Sequence, residues 1–290
     1  MRCEIDTDVD AFYREVAPWL GGDPIANTVA CTVIAQRTEG VMDAKGDDLW
    51  IRLVDDEGVC GVSFQTPPHG LYVTAISDAA LEALVGAVED ARPQLTAVNG
   101  PAATVERFVA LWSVRTGCAA RAGMATRLFS IDEVRHPQGV EGRRRAVGAE
   151  DRGVVIDWLD RFSLEAEGGH AQGPAELAKS FDRRLAKSQP QWLWEVDGEP
   201  VSMTLESLNV AGVVRVQGVY TPREQRGRGY ASALVAEVSA EILSRPEVSG
   251  CVLFTDLANP TSNGVYRRIG YRPVGDHINY VFSYTSPTTR

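Results

Sequence analysis

The sequence has little of what several classes of protein require. Its five cysteines (Cys3, Cys31, Cys60, Cys118, Cys251) are scattered, with no C-x-x-C pair and no disulfide-framework spacing, so reduced thiols are expected. Its four histidines (His69, His136, His170, His277) show neither H-x-x-x-H nor Cys/His spacing, so no metal site is expected. A run of about 18 apolar residues, the minimum for a helical membrane span, is missing. So is a basic N-terminal stretch leading into an apolar core, which points to the cytoplasm. An excess of basic charge is lacking too: 29 Lys and Arg stand against 39 Asp and Glu, a formal net charge of -10. Phosphate neutralisation needs the opposite balance, so nucleic acid is a poor partner and a cationic one a better fit.

What is present is core material. With 44% hydrophobic and 23% charged residues, the 290-residue chain can bury two cores of roughly ordinary domain size. Pro137, Gly139 and Gly142, followed by Arg143, Arg144 and Arg145, interrupt the apolar periodicity. They place a boundary that gives domains 1–139 and 140–290, with the arginines as a solvated linker edge. Residues 1–140 carry 11 basic against 20 acidic residues and 141–290 carry 18 against 19, so the C-terminal half is the better place for an anion.

Periodicity after the boundary predicts a strand at 144–149, helices at 151–166 and 174–187, and strands at 191–196, 201–208 and 213–220. A helix at 230–243, a strand at 251–255, a short helix through Tyr266 and closing strands from Tyr271 to Ser283 follow. This is an α/β pattern with a mixed sheet. The N-terminal half echoes it: a helix at 78–91, a strand at 95–98, Gly100-Pro101, a helix through Phe108 and Trp112, and a strand ending at Ser130. A duplicated fold of two tandem domains is expected.

The segment with the clearest chemistry runs from Val219 to Ser232, VYTPREQRGRGYAS, from a strand straight into a helix. A glycine-rich turn at the positive end of a helix presents backbone N–H groups to a pyrophosphate. Gly227 and Gly229 permit close approach, and Arg226 and Arg228 add countercharge. The Gly-Lys-Ser/Thr of a Walker loop and the three glycines of a dinucleotide fingerprint are both absent. Downstream stands Asn259-Pro260-Thr261-Ser262-Asn263-Gly264-Val265-Tyr266, closing with Gly270-Tyr271. As plain structure, Asn259 before Pro260 makes a good helix cap.

Together the two blocks resemble the GCN5-related N-acetyltransferase superfamily. Arg226-Gly227-Arg228-Gly229-Tyr230-Ala231 fits its coenzyme A loop, and Asn259 to Tyr271 fits its second motif, over roughly residues 141–284. The resemblance implies an acetyltransferase-like fold with an active C-terminal domain, an N-acetyltransferase activity and acetyl-CoA as co-substrate. It places the pantetheine arm and thioester at Val219, Tyr220 and Thr221, and the pyrophosphate at Arg226, Gly227, Arg228, Gly229, Tyr230 and Ala231. Asn259 and Asn263 meet the coenzyme from the other side, and Tyr266 is the acid beside the sulfur. A neutral amine, on a small molecule or a protein, then attacks the thioester directly. Glu206 is the candidate base, with Glu195 second and water as the alternative. The N-terminal half departs from both motifs, holding Phe108 where Tyr266 stands in the other. The competing function class is an acyl-CoA sensor or scaffold that binds without turnover.

Overall fold

The fold is given by a computed structural model that describes residues 1–42, 46–166 and 173–284. His170 lies outside the described residues. The first half runs β1 (Arg2–Asp6), α1 (Val9–Gly22), α2 (Thr28–Thr38), β2 (Leu49–Asp55), β3 (Gly58–Gln65), β4 (Leu71–Val73), α3 (Asp78–Ala91), β5 (Ala97–Pro101), α4 (Ala102–Thr116) and β6 (Ala119–Ile131). The second runs β7 (Arg143–Ala146), α5 (Arg152–Ala166), α6 (Pro174–Ala186), β8 (Gln191–Val196), β9 (Glu199–Glu206), β10 (Val213–Tyr220), α7 (Tyr230–Ser244), β11 (Gly250–Asp256), α8 (Pro260–Arg268) and β12 (Arg272–Ser283). The order β-α-α-β-β-β-α-β-α-β is the same in both, so the expected echo extends to the whole of each half.

The chain packs as two units, Met1–Arg127 with the residues from Gly275 onward, and Leu128–Val274. This division does not coincide with a cut at 139/140. The Pro/Gly signals at 137–142 mark the connector between β6 and β7, which lies inside the second unit. The closing segment is one long strand rather than several, and most of it belongs to the first unit.

In the first unit the strand order is β1-β2-β3-β4-β5-β12. Strand β12 runs antiparallel to β5 from His277↔Pro101 to Val281↔Ala97. Helix α1 begins because Asp8 accepts hydrogen bonds from the N–H of Asp10 and Ala11 (2.8 and 3.3 Å). It buries Phe12, Val16 and Leu20, one residue per turn along a single stripe. The core on the α3/α4 side gathers Leu81, Leu84, Val88, Val98, Phe108 and Trp112, with Phe282 from β12 among them. The Phe108 and Trp112 rings stack at 5.7 Å, and Phe282 lies 6.2 Å from Trp112.

In the second unit the order is β6, of which only the end from Leu128 belongs to this unit, then β11-β10-β9-β8-β7. Helix α7 buries Leu234, Val235, Val238 and Ile242 against Val214, Val216, Leu253, Phe129 and Ile131. On the opposite face Val155 and Trp158 of α5 and Phe181 of α6 pack on Leu193, Met203 and Tyr220. Helices on both faces of a mixed sheet are the expected α/β architecture. The arginine triplet is an edge strand rather than a linker. Arg143 and Arg145 bond Glu195, Arg145 also bonds Asp151, and Arg144 lies over the Trp192 ring at 4.1 Å. Charge on an edge strand blocks further strand addition.

Because Phe282 fills the first unit's core from the far end of the sequence, Phe282→Ala should cost that unit about 3–5 kcal/mol. Denaturant unfolding followed by the fluorescence of Trp112, in a chain whose other tryptophans are replaced, measures it. A loss below about 1 kcal/mol would mean that β12 does not complete this core.

Candidate functional site

The site is built where two parallel strands part. Strands β10 and β11 pair from Val213↔Gly250 to Val216↔Leu253 and no further, although β10 continues to Tyr220 and β11 to Asp256. On its other side β10 stays with β9, but the register slips between Gln217 and Tyr220. Gly218 takes a left-handed conformation there, φ 61°. The slipped segment is pinned from β9: Thr204 Oγ1 donates to Gln217 O and Ser202 Oγ to Tyr220 O, both at 3.0 Å. The backbone groups of Gln217 to Tyr220 on the β11 side are left without a ladder, in a position to bond a ligand inserted between the strands.

Strand β10 leads through a short 3₁₀ turn, Arg223–Gln225, into the glycine-rich turn. Gly227 and Gly229 are both left-handed, φ 80° and 86°. A Cβ on Gly229 would also lie 3.1 Å from Val140 Cγ2, so a side chain there would be strained by the positive φ and would crowd Val140. Helix α7 then starts at Tyr230 with no side-chain cap, so its first N–H groups and the positive end of its dipole are available to an anion. The two arginines divide. Arg228 is exposed. Arg226 folds back: its Nε donates to Thr221 O at 2.8 Å and a terminal nitrogen to Glu165 Oε2 at 2.7 Å. Glu165, on α5, is a site residue that sequence motifs do not reveal, because it lies far from the loop in the chain and belongs to no pattern.

On the β11 side, Asn259 caps α8 by accepting from the Ser262 N–H at 3.0 Å, and Pro260 occupies the first turn. The Asn263 amide nitrogen donates to Asp256 O and Asn259 O (2.9 and 2.8 Å), which ties α8 to the end of β11. Its Oδ1 is buried and accepts from no described group. One turn later Tyr266 is 7% exposed, its ring edge-on to Tyr271 at 6.0 Å. Burial alone pushes its phenol up to about 12, so it holds its proton at neutral pH.

Glu206 does not fit the role of base. Its side chain is 1% exposed and its two oxygens accept from both terminal nitrogens of Arg245, at 2.7 and 3.1 Å. Trp192 Nε1 adds a third bond at 2.6 Å, and the Glu206 carbonyl accepts from buried Arg184. Arg245 is the C-cap of α7, the end opposite the glycine turn. A carboxylate so saturated is structural. Glu195 is likewise occupied by Arg145 and Arg143, which hold its carboxyl below the usual range.

Among its described residues the first unit lacks the corresponding features. Between β4 and α3 lie Thr74 to Ser77, without glycine, and Ser77 Oγ already caps α3 through the Ala80 N–H at 3.3 Å. A Cβ on Gly100 would lie 2.2 Å from Val73 O, so β5 stays against the end of β4 where β11 leaves β10. Phe108 is core. Among the described residues no group of three or more His, Cys, Asp or Glu is placed to hold a metal ion. No described helix is long and apolar enough to cross a membrane.

Residues 155–271, all within the second unit, match the model of the acetyltransferase (GNAT) family. Solved structures resemble the chain over nearly its whole length. A Drosophila protein aligns at a TM-score of 0.66 and 14% identity, over 96% of this chain and 98% of its own. A GCN5-related N-acetyltransferase from Sphaerobacter thermophilus aligns at 0.61 and 16%, over 96% and 95%. A tandem GNAT protein from the clavulanic acid biosynthesis pathway aligns at 0.58 and 15%, over 99% and 100%. These likenesses show the fold, over both units of the chain. No curated protein matches the sequence.

Removal of the Glu206 carboxylate leaves Arg245 with Glu241 alone and the Trp192 N–H without its partner, so Glu206→Ala should destabilise the second unit by about 3 kcal/mol. Its effect on turnover should go no further than the loss of folded protein. Denaturant titration and rate per folded molecule test this together. A specific activity that collapses in well-folded protein would restore Glu206 to the chemistry.

Proposed function

We propose that the second unit binds acetyl-CoA and passes its acetyl group to an amine by direct attack, with no covalent acyl-enzyme. The observation that carries this reading is the divergence of β10 from β11 directly ahead of an uncapped, glycine-led helix. The first feature suits an extended pantetheine arm and the second its pyrophosphate. In this reading Val219, Tyr220 and Thr221 bond the arm, and the turn from Arg226 to Ala231 receives the phosphates, with Arg228 as the accessible countercharge. Asn259 and Asn263 line the far side, and the unpaired Asn263 Oδ1 can accept from the coenzyme. The β10 backbone N–H near Val219 stabilises the oxyanion as the amine lone pair adds to the thioester carbonyl. Collapse of that intermediate breaks the C–S bond, and Tyr266 gives its proton to the departing sulfur. With Glu206 and Glu195 held in ion pairs, the proton from the attacking nitrogen goes to water. The acidic balance of the chain suits a cationic acceptor.

The first unit, with α3 capped by Ser77 and Gly100 of β5 close to Val73 O, offers no counterpart of this site among its described residues. Calorimetry with CoA should give a stoichiometry near one per chain. A value near two would place a working site in the first unit.

Tyr266→Phe keeps the ring and removes only the proton. With the best amine from a panel followed by thiol release, kcat should fall by roughly 10²–10⁴-fold while the coenzyme dissociation constant changes little. A fall below about threefold would mean that another group is the acid. CoA binding with silence across the whole panel would favour a sensor or scaffold.

A further inference from the structure

One carboxylate gathers the coenzyme loop. Glu165 lies near the C-terminal end of α5, remote in sequence from both motif blocks. Its Oε2 accepts from Arg226 at 2.7 Å, and its Oε1 accepts from the Tyr220 hydroxyl at 3.3 Å, with Arg223 Nε 3.6 Å away. Tyr220 is the last residue of the diverging strand and Arg226 the first of the glycine motif. The segment between them is thus closed at its neck by a single side chain, and the Arg226 bond to Thr221 O closes it a second time. Residues 223–228 carry Arg223, Arg226 and Arg228 against Glu224 alone, a net positive charge that Glu165 offsets. Arg226 in turn holds the Glu165 carboxyl below its usual range, so the charge is present through neutral pH and is a poor base.

We infer that Glu165 is a positioning residue for the coenzyme's phosphates, holding the Tyr220–Arg226 loop in its binding shape before the ligand arrives. The inference rests on the proposed reading of the second unit as an acetyl-CoA site. A loop already closed loses less freedom on binding, and the gain falls only on the part of the ligand that the loop contacts. That locality separates positioning from a general structural role. A carboxylate that merely stabilised the unit would affect every donor alike. The arm-binding backbone at Tyr220 and Thr221 is also held by Ser202 Oγ (3.0 Å to Tyr220 O and 2.9 Å to Thr221 Oγ1), so the loss of Glu165 should fall mainly on donors that carry the pyrophosphate.

The test compares acetyl-CoA with acetyl-pantetheine, which has the arm and thioester without the nucleotide, on the full chain and on Glu165→Gln. The substitution keeps the side chain's shape and removes the charge that Arg226 and Arg223 answer. Calorimetry, with competition for the weaker ligand, should show acetyl-CoA binding weakened by about five- to tenfold and acetyl-pantetheine binding changed by less than about twofold. Thermal unfolding of both proteins checks that the folded population is the same. Equal losses for the two ligands would overturn the inference in favour of a structural role, and no loss for either would leave Glu165 without one. Tighter binding of acetyl-CoA would show that Glu165 competes with the phosphates for Arg226, the opposite of positioning. A wild-type chain that binds neither ligand would instead overturn the functional reading, and the inference with it.

Discussion

A parallel strand pair that stops pairing in mid-sheet leaves peptide groups with nothing to bond, and the second unit is arranged around that deficit. Beyond Val216 and Leu253 the two strands give up their ladder. The slip at Gln217–Tyr220 turns the end of β10 while the Ser202 and Thr204 hydroxyls hold it from the β9 side. Asn263 fastens the end of β11 to α8. Each device keeps the strands apart without leaving them loose, so the open backbone faces one direction only. The first unit shows the alternative. There Gly100 lets β5 lie against Val73 O, the helix that follows β4 is capped by serine, and the same element order makes a closed sheet.

The electrostatics follow the same division between ends of one helix. At its N-terminus α7 is uncapped and preceded by glycines and an exposed arginine. At its C-terminus Arg245 binds Glu206 and Glu241, and nearby Arg144 covers Trp192. The first end is left polar and open, while the second is saturated. A glutamate on the neighbouring strand therefore reads as a possible base from sequence position and as a tether once its partners are seen.

Local pattern made much of this legible. The stripe of Leu234, Val238 and Ile242, the glycines before Tyr230 and the Asn-Pro start of α8 each announce an element within one or two turns of chain. The sites that went unread depend on tertiary partners. Glu206 finds Arg245 39 positions later and Glu165 finds Arg226 61 positions later, and no spacing rule predicts either. The boundary near residue 140 failed to match the packing for a similar reason: Pro and Gly mark where a chain turns, not which core receives the next strand. The period-2 pattern of β12 reveals a strand but is silent about its neighbour.

That neighbour has a consequence during synthesis. The first unit's core is closed by Phe282, and the Tyr284 hydroxyl joins Trp112 Nε1 (3.0 Å) to Leu95 O (2.8 Å), pairings 172 and 189 residues apart in the chain. A ribosome that has finished the first repeat has therefore not supplied its last strand, and the edge of β5 must wait, open, while the second repeat emerges. Loop-closure entropy makes contacts of such separation slow to form, and an unpaired strand edge is a place where two nascent chains can meet. The order of emergence from the ribosome and the order of structural completion are thus inverted, and the repeat made first is the one completed last.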